Sequence, residues 1–312
     1  GFVFYALQEN TNFTPGARLL LLSVIPQHAH YLRNFYSKLN NNWLAMEMRG
    51  LAKCAIYWSE FEDSNKWLDY SINMMSNQIK EQVYPDGVHK ELASAYHKLT
   101  LNNFEDFYDM IKKRTDKKLP SFYKDYFEKM NNYLAYSMRP NGSNPLNNDS
   151  ILSYFSNHIQ EAAGKYDRND WRYIITNGNS GEKPEKPSVI FPWAGQLIFR
   201  NGWGRKAHWS FFDVCSWGTG VHQHNDKLHL SVYAHGRDLL VDSGRFVYTG
   251  EVAEKFRDYY ALHSRGHNVI LINGKGQNPG VKEWEKPIKE DNYLIKSEFD
   301  YAQGTFNRGY GK

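Results

Sequence analysis

At 312 residues the chain is too long for one ordinary core and calls for two domains. A net charge of +4, with no extended basic stripe and no known reading motif, argues against a nucleic-acid partner, and no apolar run is long enough to cross a bilayer. Aromatic residues make up 16% of the chain, ring surface that builds cores and also suits sugar faces, where rings stack and phenol tips hydrogen-bond.

The first half reads as helical. After "LNNN", Leu44, Met48, Leu51, Ala55 and Trp58 recur at steps of three and four and share one helical stripe. Asn42 sits where an N-cap is expected. Leu68, Ile72, Met75 and Ile79 repeat the pattern until "YPDG", a turn signal. A further helix is expected over about 90–113, where Glu91 falls roughly one turn before Tyr96. Tyr123, Phe127, Met130, Leu134 and Met138 mark another, ending at "RPNGSNP". The basic run "IKKRTDKK" at 111–118 reads as a solvated helix end. Antiparallel helix pairs of this kind build an α-bundle or an (α/α) toroid.

The texture then changes. Residues 139–190 are rich in Asn, Gly, Ser, Pro and charge and read as a connector with one helix near 150–163. From about 189 the period becomes two. "HWSFFDVCSW" is strand-like, and "LHLSVYA" places Leu228, Leu230, Val232 and Ala234 on one face. "AHGRD" reads as a hairpin turn, "LLVDSG" as the return strand, and "NVILINGKGQ" as a further strand with an Asn-Gly turn. Helices followed by strands imply separately cored domains, here 1–140 and 189–312 joined by 141–188. The two cysteines, Cys54 and Cys215, are weak grounds for a disulfide and lack metal-ligand spacing. With no initiator Met or leader, opening on "GFVFYALQEN" and stopping at "FNRGYGK", the sequence reads as a trimmed piece of something longer.

The chemistry concentrates in "GTGVHQHNDKLHL". A zinc ion takes imidazole and carboxylate ligands, and a site made of side chains needs three or four. His222 and His224 are two apart and point the same way on an extended backbone. Asp242 closes the return strand and His267 opens the next, so a His-Asp-His set can converge from neighbouring strands. A tight hairpin centred on His235-Gly236 puts Asp242 opposite His229 rather than His224, which keeps His229 as a rival ligand.

"HQHNDKLHLSVYAHGRDLLVDSGRFVY" followed by "HNVILING" resembles the β-domain signature of the heparinase II/III-like polysaccharide lyases. "NNNWLAMEMRGL" and "YPDGVHKELASAYHK" resemble segments of that family's helical toroid, closest to the heparinase III branch, which acts on heparan sulfate. The match covers roughly residues 40–110 and 190–275. It implies an α+β multidomain fold, a partial (α/α) toroid followed by an antiparallel β-sandwich domain. It also implies one divalent metal, zinc in most of the family, held by His224, Asp242 and His267, with His222, Asn42 and Tyr96 as active-site residues. An acidic polysaccharide is then the substrate, and a periplasmic or secreted location follows. Where some branches carry a histidine directly after the asparagine, this chain has Trp43, so roles tied to that histidine do not transfer.

Such a lyase cuts a uronate polymer by β-elimination, removing the C5 proton and expelling the C4 oxygen. Neutralising the carboxylate stabilises the enolate-like charge, a task that suits an amide and an imidazole such as Asn42 and His222. A tyrosine, with an ordinary pKa of ~10, becomes a base only beside positive charge or donors. In glucuronate the C5 proton and C4 oxygen share one face, so Tyr96 can serve as base and then acid. Glu91 and Arg245 are candidate contacts to sugar, carboxylate or sulfate; Tyr248, Tyr259 and Tyr260 are further phenols of unranked role; and His97 reads as structural. The metal is expected to be structural, fixing the loop that carries His222. Three other readings compete: a lyase on hyaluronan, chondroitin or alginate; a zinc hydrolase with Asp226 as its nearby carboxylate; and a glycan-binding module without turnover.

Overall fold

The computed structural model describes residues 2–214, 222–279 and 286–311. The chain divides into two compact units, Gly1–Glu81 with Thr100–Tyr123, and Gln82–Leu99 with Lys124–Lys312. No helix among the described residues is long and apolar enough to cross a membrane.

The first unit is helical. After the short α1 (Phe2–Ala6), α2 (Pro15–Asn34) starts at Thr14, whose hydroxyl accepts from the Ala17 amide at 3.3 Å, with Pro15 at a position where its missing N–H costs nothing. α3 (Asn42–Tyr57) buries the expected stripe, Leu44, Met48, Leu51 and Ala55. Its cap is Asn41, not Asn42: the Asn41 side chain accepts from the Trp43 amide at 3.2 Å, and Asn42 becomes the first, buried residue of the helix. α4 (Ser64–Gln82) buries Leu68, Met75 and Ile79 on the predicted stripe.

The PDG turn after α4 opens the second unit. Gly87 has φ +90°, and a Cβ there would lie 2.6 Å from the Lys129 carbonyl, so the position needs glycine. α5 (Ser94–Arg114) begins later than the periodicity suggests, because Leu92 adopts φ 56° and breaks the helical path. Glu91 therefore lies on a turn rather than on the helix. α6 (Phe122–Ser137) buries all five predicted stripe residues, Met138 lying just past its end. The Asn-rich stretch that follows is no loose tether: Asn144, Asn147, Asn148, Asp149 and Ser150 are buried, and two helices follow, α7 (Ser156–Lys165) and α8 (Asn169–Ile175), where one was expected.

Five antiparallel strands then run in sequence order, β1 (Val189–Phe191), β2 (Gln196–Arg200), β3 (Trp209–Asp213), β4 (His229–Ala234) and β5 (Arg237–Leu240). The β4–β5 hairpin turns on His235 and Gly236, both with positive φ (56° and 84°), as a twisted two-residue turn demands. One expectation holds here and one fails. On β4, Leu230, Val232 and Ala234 share a face as expected and line a groove of about 1020 Å³ with Phe199, Ile295 and Phe299, while His229, Ser231 and Tyr233 are buried on the other. "NVILI" forms no strand; Asn273 and Gly274 make the predicted turn, but Ile270, Leu271 and Ile272 stay exposed and pair only through an isolated bridge. α9 (Glu251–Phe256) and the ribbon of β6 (Tyr293–Ile295) with β7 (Asp300–Ala302) complete the unit. Cys215 lies outside the described residues, and Cys54 is a free thiol.

Candidate active site and metal centre

The second unit gathers its chemistry where the Asn147–Ser150 loop meets His222–His224. The Asn148 side chain donates to the Leu92 carbonyl at 3.0 Å and accepts from the His224 amide at 3.1 Å, while the Asp149 amide donates to the His222 carbonyl at 3.2 Å. The start of α5 and the histidine loop are thus tied to one Asn-rich segment. His222 holds φ 63°, a conformation a non-glycine residue keeps only when its surroundings impose it.

Asp149 is the hub. Its Oδ2 accepts from His222 Nδ1 at 2.8 Å and from the Tyr248 hydroxyl at 2.9 Å, and its Oδ1 accepts from His224 Nε2 at 2.8 Å. Arg257 adds contacts at 3.1 and 3.3 Å. Burial alone would raise this carboxyl, yet the bonds from His222 and His224 and the charges of His224 and Arg257 hold it well below the usual carboxylate range. An ionised carboxylate only accepts, so His222 carries its proton on Nδ1 and His224 on Nε2.

Above the hub, the Tyr96 ring stacks on His222 with centroids 3.8 Å apart and planes 13° from parallel. Its hydroxyl lies 2.8 Å from that of Tyr248 and 3.5 Å from an Arg245 nitrogen. Since Tyr248 gives its one proton to Asp149, the phenols form a chain, Tyr96 donating to Tyr248. The Tyr248 hydroxyl is pushed up by burial first, with the charge of Asp149 adding to the shift, so it stays a neutral donor. The Arg245 guanidinium sits 4.5 Å over the Tyr248 ring. The DSG turn aims it: Asp242 Oδ1 accepts from the Gly244 amide at 2.8 Å, and a Cβ on Gly244 would meet the Ser150 carbonyl at 2.4 Å. On the far edge of His222, Nε2 lies 4.0 Å from the fully buried Glu91 carboxylate.

Below the hub, His224, Asp242 and His267 are all buried, and each offers a ligand atom within 4.8 Å of the others. His224 Nδ1 is buried with no hydrogen-bond partner among the described residues, which leaves its lone pair available to that group. His267 donates through Nε2 to the Ala261 carbonyl at 2.9 Å and turns Nδ1 towards Asp242 Oδ2 at 3.2 Å. Burial would lower His267, but the Asp242 charge and hydrogen bond outweigh it and lift the ring to about 9. Two imidazoles and a carboxylate fit a borderline-soft divalent cation such as zinc. His229 is not in this group: its Nδ1 accepts from the Asn268 amide at 3.2 Å and its Nε2 meets the Ser231 hydroxyl at 2.8 Å, although Asp242 Oδ2 is 3.3 Å away.

Tyr96, His222, Glu91, Arg245, His224, Asp242 and His267 therefore belong to one connected constellation. Asn42 lies in the other compact unit, buried at the head of α3. Sequence reasoning passed over Asp149 and Arg257 and left Tyr248 unranked. In "NNDS" the acid looks like turn composition; the available signal was an acidic residue inside a run of uncharged Asn and Ser. His97 is structural as expected, bonded to the His89 amide and the Met130 carbonyl.

A model of the heparinase II/III N-terminus matches residues 2–173, and a heparinase II/III-like C-terminal model matches 183–298. The chain is 28% identical over 269 residues to a heparin-sulfate lyase of Pedobacter heparinus, covering 84% of this chain and 40% of that protein. It is 26% identical over 312 residues to a heparin-sulfate lyase of Bacteroides stercoris, covering 96% and 46%. A crystal structure of heparinase III shares the fold, with TM-score 0.79 at 20% identity over 90% of this chain and 46% of that one. The chain thus spans less than half the length of the relatives it matches. With one family model running through most of the helical part and a second through most of the stranded part, the chain belongs to the heparinase II/III family.

Proposed function

We propose that this chain carries the eliminating site of a polysaccharide lyase that cleaves uronate-containing glycosaminoglycan, heparan sulfate first, leaving 4,5-unsaturated uronate ends. The observation that carries the reading is the Tyr96 phenol laid flat on His222 with its hydroxyl 2.8 Å from that of Tyr248 and 3.5 Å from an Arg245 nitrogen. The similarity to heparin-sulfate lyases supports heparan sulfate as the substrate.

In this reading the uronate lies against the exposed edge of the Tyr96–His222 stack. The Tyr96 oxygen, as phenolate, takes the C5 proton. The C5–H electron pair becomes the C4–C5 double bond as the C4–O bond breaks, and the same phenol returns its proton to the departing oxygen. Arg245 places positive charge beside that oxygen at 3.5 Å. His222, turned by Asp149, presents Nε2 to the uronate carboxylate, where it helps neutralise the charge that builds up on deprotonation. Asn42 joins as the second carboxylate donor on its match to the family motif alone. Glu91 and Arg245 are assigned to substrate contact.

The His224–Asp242–His267 group would hold one divalent ion, zinc by its donor set, as a structural clamp on the loop that presents His222. We read residues 1–140 as part of an (α/α) toroid and 189–312 as part of a β-sandwich, joined by 141–188, in a protein exported to the periplasm or beyond. Incubation with heparan sulfate, hyaluronan, chondroitin and alginate tests the assignment: new ultraviolet absorbance with heparan sulfate supports it. Cleavage without that absorbance replaces elimination by hydrolysis.

A further inference from the structure

We infer that Asp149 is a positioning residue that sets the tautomers of two imidazoles at once, so that metal binding at His224 and the orientation of His222 beneath Tyr96 are coupled through one carboxylate. The bonds are those to His222 Nδ1 and His224 Nε2, both 2.8 Å, from opposite oxygens of the same side chain. Because a carboxylate offers only acceptors, both facing nitrogens must be N–H. For His224 the consequence is a bare Nδ1, and that is the buried atom with no partner among the described residues, on the residue that shares a possible ion with Asp242 and His267. For His222 the consequence is a ring fixed in plane and depth, flat against Tyr96.

The groups facing Asp149 leave it little freedom. Tyr248 donates to the same oxygen as His222, and Arg257 reaches both oxygens. Its own amide is bound to the His222 carbonyl, so side chain and backbone hold the same loop. A carboxylate that orients a metal-binding imidazole commonly changes metal affinity by about 10- to 100-fold when replaced. Here the same carboxylate also carries the imidazole that stacks on the proposed base. A shift of His224 towards a bound cation is therefore passed to His222 through a rigid two-oxygen bridge.

Asp149→Asn is the decisive variant, because an amide presents one acceptor and one donor where two acceptors stood. If its N–H faces His224, that ring must move its proton to Nδ1 and can no longer offer the metal a lone pair. If the N–H faces His222, that ring changes tautomer instead. Zinc affinity, measured by competition with a chromogenic chelator, should fall by at least about tenfold, or the His222 nitrogen signals in ¹⁵N NMR should switch tautomer. A folded variant in which neither moves overturns the inference. The wild-type protein supplies a second test that does not depend on the variant folding. Titrating the chelator-stripped protein with zinc should shift the His222 nitrogen signals in step with those of His224, and His222 signals that ignore zinc also overturn it. The kinetic arm rests on the lyase reading: kcat should drop more than KM changes. Should the wild type cut no uronate polymer, that reading fails while the zinc and NMR arms still judge Asp149.

Discussion

His222, His224 and His267 belong to the same compact unit as His89, His97 and His158, and all six are largely removed from water, yet the two sets face different partners. The first three face the carboxylates of Asp149 and Asp242. The second three face neutral dipoles: His89 meets the Gln82 amide oxygen at 3.0 Å, His97 the Met130 carbonyl at 3.0 Å, and His158 the Asn131 amide oxygen at 2.8 Å. Against dipoles alone burial wins, and it drives His97 down to about 3 and His158 to about 4, with His89 well below its ordinary value. Against the Asp242 carboxylate the charge wins, and His267 rises to about 9 although it too is buried. Burial therefore does not decide whether an imidazole is a neutral strut or a working group; its partner does.

The largest test of that division is Tyr96→Phe. It deletes the hydroxyl above the carboxylate-partnered set and leaves the ring stack intact, so on the proposed lyase reading kcat on heparan sulfate should fall by about 10²- to 10⁴-fold with KM changed little. His158→Asn, in the neutral set, should lower the melting temperature while turnover per folded molecule persists. Rates read from product absorbance decide it. A Tyr96→Phe protein that still turns over within tenfold of wild type would erase the distinction.

Next in size is the Asp242 centre. Asp242→Asn removes the counter-charge from between buried rings at 3.2 and 3.3 Å, a change worth about 3–5 kcal/mol when one partner of a buried charged pair is lost. Calorimetry should show stability and activity falling together, and added zinc should restore a chelated wild type but not the variant. Full activity in protein shown by elemental analysis to hold no metal removes the structural-metal role.

These partners explain what was legible in the sequence. Periodicity in α3, α4 and α6 is a local property, and the stripes it marks are the buried ones. The HxH pair, Asp242 and His267 were legible as a set because the motifs occur in order. Choosing His224 over His229 was legible only through the family resemblance, since in the fold it depends on what else each ring bonds: Asn268 and Ser231 occupy both nitrogens of His229. Asp149 was hidden for a similar reason. Its importance comes from residues 73 to 108 positions away, and nothing in "NNDS" encodes those partners. On β4 the shared face of Leu230, Val232 and Ala234 was legible from the period of two, whereas the burial of His229 and Ser231 on the other face, bonded to each other at 2.8 Å, was not.

Acid tests the neutral set alone. His97 and His158 have folded-state values below the unfolded value of ~6.5, so the unfolded chain takes up protons first as pH falls. Their contribution is complete above about 6.5 and is lost progressively towards 4 and 3. The slope is about 1.4 kcal/mol per pH unit for each ring. Asp149 and Asp242 are held below ordinary carboxylate values, so what they contribute is retained until the pH drops under ~3.8. Urea midpoints between pH 7 and 5 should therefore fall, and His158→Asn should flatten the decline. An unchanged midpoint over that range would show that these rings are protonated in the fold.

The smallest expected effect concerns Arg245, which shares its cation between the Tyr248 face and the Tyr96 hydroxyl. Its Nε is buried without a partner among the described residues, so the group is not spent on the fold alone. Arg245→Lys keeps the charge but loses the planar fork that grips a carboxylate or sulfate through two bonds. If Arg245 holds the polymer, KM should rise about five- to tenfold, roughly 1 kcal/mol, with kcat nearly kept, and the penalty should shrink as salt screens the contact. If it serves the phenol instead, kcat should fall and KM should stay. The second outcome would move Arg245 from substrate contact to the electrostatics of Tyr96, and would extend the rule drawn from the histidines to a tyrosine, whose role would again be set by the charge beside it.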